Sequence, residues 1–133
     1  MSRESEFIDK NSNSGNLATV DEDGRPRVRA FGLMRREETR LVFATSNKKA
    51  VYSQLQANPY AEWIINSEDY FTTLRIFGNI VFDDDPEVEK RVLDENPIIK
   101  KLYTGREQEF KVFYLENPEY KWFELRKPPP KQD

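Results

Sequence analysis

One stretch limits the possible folds more than any other. Residues 71–82 alternate: Leu74, Ile76, Ile80 and Phe82 are apolar at even positions, with Gly78 among them, and Thr73, Arg75 and Asn79 are polar at odd ones. A period of two over that length makes a long strand with one face buried. Shorter pieces repeat the theme. Residues 17–20 form an apolar strand, and Asp21-Glu22-Asp23-Gly24 is a hairpin turn with glycine placed for positive φ. Residues 25–35 alternate, Arg36-Glu37-Glu38-Thr39 turns, and 40–45 returns as a strand. Residues 60–66, 110–115 and 120–125 are strands as well, the last two joined through Glu116-Asn117-Pro118-Glu119.

Helical spacing interrupts this at two points. After Ser46-Asn47, Val51 and Leu55 fall on one helix face, and Asn58-Pro59 stops it. Asp83-Asp84-Asp85-Pro86 is a helix start, an aspartate cap followed by proline, with Val88, Val92 and Leu93 on one side. Residues 97–103 predict a second short helix, ended by Gly105. A short amphipathic helix over 2–11 carries Phe7 and Ile8. Six or seven short antiparallel strands with inserted helices predict a mainly β, small barrel rather than a parallel α/β sheet. The chain divides into an N-terminal helix or arm (1–15), the barrel (16–125) and a disordered tail (126–133).

Composition excludes much chemistry. The 133 residues hold no cysteine, which removes disulfides, iron–sulfur clusters, thiolate–zinc sites and thiol nucleophiles. They hold no histidine either, which removes serine–histidine chemistry, imidazole bases and histidine-ligated haem. The net charge of −3 gives no general pull toward nucleic acid. No apolar run approaches the roughly 18 residues of a membrane span, and the first twenty residues lack a secretory signal. A cytoplasmic protein that contacts neither membrane nor nucleic acid is expected.

Two clusters could carry chemistry. Arg25, Arg27 and Arg29 share one strand face. The first two read as solvated, whereas Arg29 precedes Phe31 and Leu33 where that face turns apolar, a place suited to bidentate phosphate recognition. Thr45-Ser46-Asn47-Lys48-Lys49 lies at a strand end opening onto a helix, where Ser46 or Asn47 can cap and the first-turn amides can meet an anion. Lys48 and Lys49 oppose the helix dipole there, at about 0.3–1 kcal/mol each when exposed. They are either solvated lysines or, together with Arg29, a phosphate site; the second is preferred. Strands two and three, as hairpin neighbours about 4.8 Å apart, would let one phosphate reach both. Asp83-Asp84-Asp85 lacks the further spaced carboxylates of a cation loop and reads as a cap. Trp122 and Phe123 point to opposite faces of one strand, which favours an oligomer.

Asn16-Leu17-Ala18-Thr19-Val20, the run from Gly24 through Gly32, and Leu41-Val42-Phe43-Ala44-Thr45-Ser46 together resemble the pyridoxamine 5′-phosphate oxidase-like flavoproteins. The similarity continues through Lys49 to Leu55, Asn58-Pro59 and Leu74-Arg75-Ile76-Phe77-Gly78. The resemblance implies a six-stranded antiparallel split β-barrel, a homodimer, FMN in clefts at the dimer interface, and redox chemistry on a small-molecule substrate. It assigns flavin contacts to Arg29, Ala30 and Phe31, to Ala44, Thr45 and Ser46, to Lys48 and Lys49 as the basic pair on the phosphate, and to Thr73. Met34 stands where the vitamin-specific oxidases have a lysine, and residues 97–106 are read as lacking their tyrosine, arginine and serine substrate set. Their C-terminal arginine segment is absent too, so the resemblance implies the cofactor site rather than oxidation of pyridoxamine phosphate.

Overall fold

The computed structural model describes residues 2–125; the tail expected to be disordered lies outside them. Eight strands among these residues form one antiparallel sheet: β1 (Asn16–Val20), β2 (Pro26–Ala30), β3 (Arg35–Arg36), β4 (Arg40–Ser46), β5 (Tyr60–Asn66), β6 (Thr72–Asp83), β7 (Phe110–Glu116) and β8 (Glu119–Glu124). Between them sit α1 (Arg3–Asn11), α2 (Ala50–Ala57), α3 (Pro86–Glu95) and α4 (Pro97–Leu102). The strands run β2-β1-β5-β6-β7-β4-β3, with β8 paired to β6 off that path.

The long alternating strand organises this split barrel. Thr73 to Asn79 of β6 pair with β5 along one edge. The other edge is shared: Thr72 to Phe77 pair with β8, and Ile80 to Asp83 pair with β7. Gly78 stands at the change-over. One strand serves both halves of the barrel, and for that it needs its twelve residues.

The strand expected over 25–35 is in fact two. β2 keeps its ladder with β1 as far as Ala30. The Phe31 amide then donates to the Gly15 carbonyl at 2.8 Å, the chain crosses over, and the Met34 amide donates to Val42 as β3 joins β4. Phe31 and Leu33 still pack on the core, so the alternation outlasts the ladder. That break raises the strand number to eight, and it leaves β2 and β4 near opposite ends of the sheet rather than as hairpin neighbours.

Aromatic rings fill the barrel. Phe43 and Phe113 stack at 5.5 Å, Trp63 meets Phe43 edge-on at 5.2 Å, and Phe31 and Phe82 lean on Phe113. A second cluster sets Val42, Ala44, Val112 and Tyr114 against Val92 and Leu93 of α3. β4 and β7 are thus covered on both faces, which explains the nearly continuous apolar run at 41–44. Helix α1 buries Ile8 in the barrel core. Its Phe7 meets Trp122 edge-on at 5.1 Å, and the indole N–H donates to Glu4 at 2.8 Å. The chain's own helix therefore covers Trp122, one of the two aromatics expected to favour an oligomer.

The aspartate run behaves as a cap: the Asp85 carboxylate accepts from the Glu87 amide and Asp83 from the Asp85 amide, both at 3.0 Å. No metal-ligand cluster occurs among the described residues, and no helix among them is long and apolar enough to cross a membrane.

Asp83 has a second role. The buried Tyr114 hydroxyl donates to its Oδ2 at 2.5 Å. Burial first, then Asp83, pushes that hydroxyl from 10.0 up to about 12, and the same bond holds the Asp83 carboxyl below its usual range. A folded pKa above the unfolded one gives stability that is present below about pH 10 and lost as pH rises toward 12; the lowered carboxylate loses its contribution as pH falls through its folded value. Tyr103 and Tyr120 are raised too, both chiefly by burial. Thermal melts should therefore show an alkaline decline in stability that Tyr114→Phe flattens in part. An unchanged decline would remove Tyr114 from its causes.

Candidate functional site

A cleft of about 640 Å³ opens where the ends of β2 and β4 meet α2 and α4. That volume falls within the roughly 300–1,000 Å³ of small-molecule sites. Eight of the nine predicted site residues line it: Arg29, Ala30 and Phe31 from β2 and the crossing segment, Ala44, Thr45 and Ser46 from β4, and Lys48 and Lys49 from the turn. Thr73 does not. It lies on β6, where its hydroxyl donates to Asn66 at 2.7 Å.

The turn after β4 is built by its own hydrogen bonds. The Asn47 amide donates to the Glu109 carbonyl, the Lys48 amide to the Ser46 hydroxyl at 3.0 Å, and the Lys49 amide to the Ser46 carbonyl. Neither Ser46 nor Asn47 caps α2, contrary to expectation. The capping position falls to Lys49, with no side-chain cap, because the helix begins only at Ala50, after a turn in which the Ser46 hydroxyl accepts from the Lys48 amide. The first turn of α2 also lacks the acidic residues that α1 and α3 carry there. Ala50 and Val51, which begin it, line the cleft, and its capping position makes no side-chain hydrogen bond.

Positive charge collects around them. Lys48 and Lys49 form no ion pair among the described residues, and neither does Arg29. Arg29 Nη1 donates to the Thr19 hydroxyl at 2.7 Å and Nη2 to the Gln54 side-chain oxygen at 2.6 Å. Both acceptors are neutral. Burial without a counter-charge lowers the Arg29 pKa from its ordinary value. Arg106 is different, since Glu109 pairs with it at 3.2 Å. Three cations that pair with no carboxylate among the described residues thus line the cleft beside an uncapped helix end, and Glu109, also in the lining, is taken by Arg106; the arrangement is suited to an anion. The buried Thr45 hydroxyl adds a polar atom with no partner among the described residues.

The opposite wall is apolar. Met34, Ile99, Leu102 and Phe110 contribute to it, and Tyr103 meets Phe110 edge-on at 5.0 Å beneath the Arg106 guanidinium. Residues 97–106, expected to lack a substrate set, deliver Ile99, Leu102, Tyr103 and Arg106 to the cleft. Ile99 and Leu102 share a face of α4 at i, i+3 spacing, a signal the sequence held, whereas Tyr103 is the C-cap and Arg106 follows the turn at Gly105, which helical spacing does not reach. The floor is pinned by Trp63, whose indole N–H donates to the Phe31 carbonyl at 2.9 Å.

An antiparallel split barrel with a cation-rich, small-molecule-sized cleft between two strand ends defines a class of protein. The family model for pyridoxamine 5′-phosphate oxidase matches residues 3–120, and the chain belongs to that family. Over 50 residues it is 46% identical to the pyridoxine/pyridoxamine 5′-phosphate oxidase of Pseudomonas putida (strain W619), a match that takes in 38% of this chain and 23% of that enzyme. A NimC/NimA family protein from Clostridium acetobutylicum superposes with a TM-score of 0.80 and 28% identity, over 96% of this chain and 87% of that one. A pyridoxamine 5′-phosphate oxidase-related, FMN binding protein from Nostoc punctiforme PCC 73102 shares the fold, with a TM-score of 0.64 and 21% identity over 89% of this chain and 77% of that one.

Proposed function

We propose that this protein binds FMN in the cleft and works, as a homodimer, in a flavin-dependent redox reaction on a small substrate. One observation carries the reading: Arg29, Lys48 and Lys49, with no carboxylate partner among the described residues, line one cleft with the open end of α2 and an apolar wall. A phosphate dianion suits the first part and a flat ring system the second. The family membership and the FMN binding relative with the same fold point the same way.

When bound, the flavin supplies electron transfer, so a chain without histidine or cysteine needs no catalytic side chain of those types. The protein's part is to hold and enclose. Arg29 and the two lysines fix the phosphate, and the backbone of Ala30 and Phe31, pinned by Trp63, supports the ring. Met34, in place of the vitamin-specific lysine, points to a substrate other than pyridoxamine phosphate.

Flavin carriage without turnover is a second reading, favoured by the cleft's poverty in proton-transfer groups. Glu109 is ion-paired, and burial chiefly raises the Tyr103 hydroxyl above its usual range.

The visible spectrum of the purified protein, before and after adding FMN and desalting, tests the proposal. A retained flavin band is expected. A protein that takes up no FMN is not a flavoprotein, and the anion-binding barrel without flavin then replaces this reading. Turnover with a nicotinamide donor would separate enzyme from carrier. Sedimentation should find a dimer at micromolar concentration, with exposed Phe71, Val81, Tyr120 and Leu125 offering apolar surface for it. A stable monomer at that concentration would count against a shared cleft.

A further inference from the structure

Arg29 is held in an uncommon way. Its Nη1 donates to the Thr19 hydroxyl at 2.7 Å and its Nη2 to Gln54 Oε1 at 2.6 Å. The Thr19 hydroxyl in turn donates to the same Gln54 oxygen at 2.6 Å, closing a three-membered ring of contacts. Nη1 has two weaker acceptors, the carbonyls of Leu17 at 3.3 Å and Arg27 at 3.5 Å. Every acceptor is uncharged. The ring occupies the edge of the guanidinium that joins its two terminal nitrogens. On the Nε–Nη2 edge, Nε and the second Nη2 hydrogen have no partner among the described residues. Thr19 is buried on β1 and Gln54 half-buried on α2, so two rigid elements set the angle of the group.

Other arginines of this chain show the contrast. Arg36 and Arg40 are held by carboxylates, Asp9 at 2.7 Å and Glu37 at 2.5 Å. A carboxylate orients a guanidinium equally well but cancels its charge. An amide and a hydroxyl orient it and leave the charge available.

We propose that Gln54 is a positioning residue: with Thr19 it grips Arg29 through neutral oxygens, so that the undiminished charge and the Nε–Nη2 edge meet a phosphate group in the cleft. The inference deepens the flavin reading and rests on it for the identity of the phosphate. It makes the glutamine's neutrality the element that selects a phosphorylated ligand over the same ligand without phosphate.

Gln54→Glu is the decisive substitution, because it keeps shape and acceptor and adds only charge. Calorimetric titrations with FMN, riboflavin and inorganic phosphate, together with thermal melts, would be run on the parent and on this variant. FMN and phosphate should weaken about tenfold or more, riboflavin should be unchanged, and the melting temperature should not fall. A purely structural glutamine predicts the reverse: the new carboxylate pairs with Arg29, stability holds, and FMN binds as in the parent. That result overturns the inference and leaves the flavin reading intact. A parent that binds phosphate but not FMN, with the phosphate lost in Gln54→Glu, retains the clamp and removes the flavin. A parent that binds neither removes both. If Gln54→Glu does not fold, Gln54→Met decides between the two roles: it removes the acceptor without adding charge and should also weaken FMN selectively, whereas FMN bound as in the parent would overturn the inference.

Discussion

Replacing Arg29 or Lys49 with alanine should weaken FMN binding by about tenfold to a hundredfold in each case, while riboflavin binding changes little. Charge-assisted contacts to a phosphate contribute roughly 1.5–3 kcal/mol apiece, and 1.4 kcal/mol is a factor of ten in affinity. Arg29 lines the cleft from β2 and Lys49 from the turn before α2, so the expected losses require that one phosphate meet both. Neither cation has a carboxylate partner among the described residues, so its removal strands no acidic group and its effect falls on the ligand. Riboflavin has the ring but not the phosphate and should bind the parent poorly. Titration of both flavins against parent and variants, with a circular dichroism check of folding, measures this. FMN affinities equal to the parent's in both variants would end the phosphate assignment. A larger loss from Arg25→Ala than from Arg29→Ala would contradict the placement of Arg25, which lies exposed and outside the cleft lining.

Gly15→Ala should destabilise the fold by about 2–4 kcal/mol and lower the melting temperature by roughly 10 °C. The backbone of Gly15 is extended, with φ −84° and ψ 162°, so alanine is acceptable locally. The difficulty is space. A β-carbon there would lie 2.3 Å from Trp63 Nε1 and 2.5 Å from Cε2. Trp63 is fully buried, its N–H is bonded to Phe31, and Phe43 packs edge-on against it. The ring can move only by giving up that bond and its packing. Because Phe31 forms part of the cleft floor, FMN and riboflavin should both weaken in this variant, unlike the phosphate-specific pattern of Arg29→Ala. A melting temperature within a degree or two of the parent's would mean the tryptophan can yield.

Some of the architecture needed only local information. The period of two over residues 71–82 locates the twelve-residue β6 to within a residue at each end. The strand over 60–66 is as expected, and the helix start at Asp85-Pro86 uses the cap expected of the aspartate run. Such features depend on neighbours within a few positions, through alternation, capping and the fixed φ of proline.

Where structure and expectation part, the deciding contact is one that local pattern does not record. Residues 25–35 alternate throughout, but the Phe31 amide bonds to Gly15 and the Met34 amide to Val42, and alternation cannot say which strand a backbone will pair with. The α2 cap falls to Lys49 because the Ser46–Lys49 segment forms a turn tied to the Glu109 carbonyl and the helix starts only at Ala50. Thr73, assigned by resemblance, bonds to Asn66 across the β5–β6 ladder and lies outside the cleft lining.

The sequence by itself determined the mainly antiparallel β character, the absence of thiol and imidazole chemistry, and the residue types able to bind a phosphate. Only the tertiary structure decided that those residues meet. Arg29 lies on β2 at one end of the sheet order and Lys49 in the turn after β4, near the other end, yet both line one cleft, an outcome of the whole sheet's pairing and twist. It also decided that Tyr103 and Arg106 join them, and that Thr19 and Gln54, thirty-five positions apart, share one hydrogen bond and hold the arginine between them. Periodicity records which face a side chain takes; it carries no information about which distant face will lie opposite.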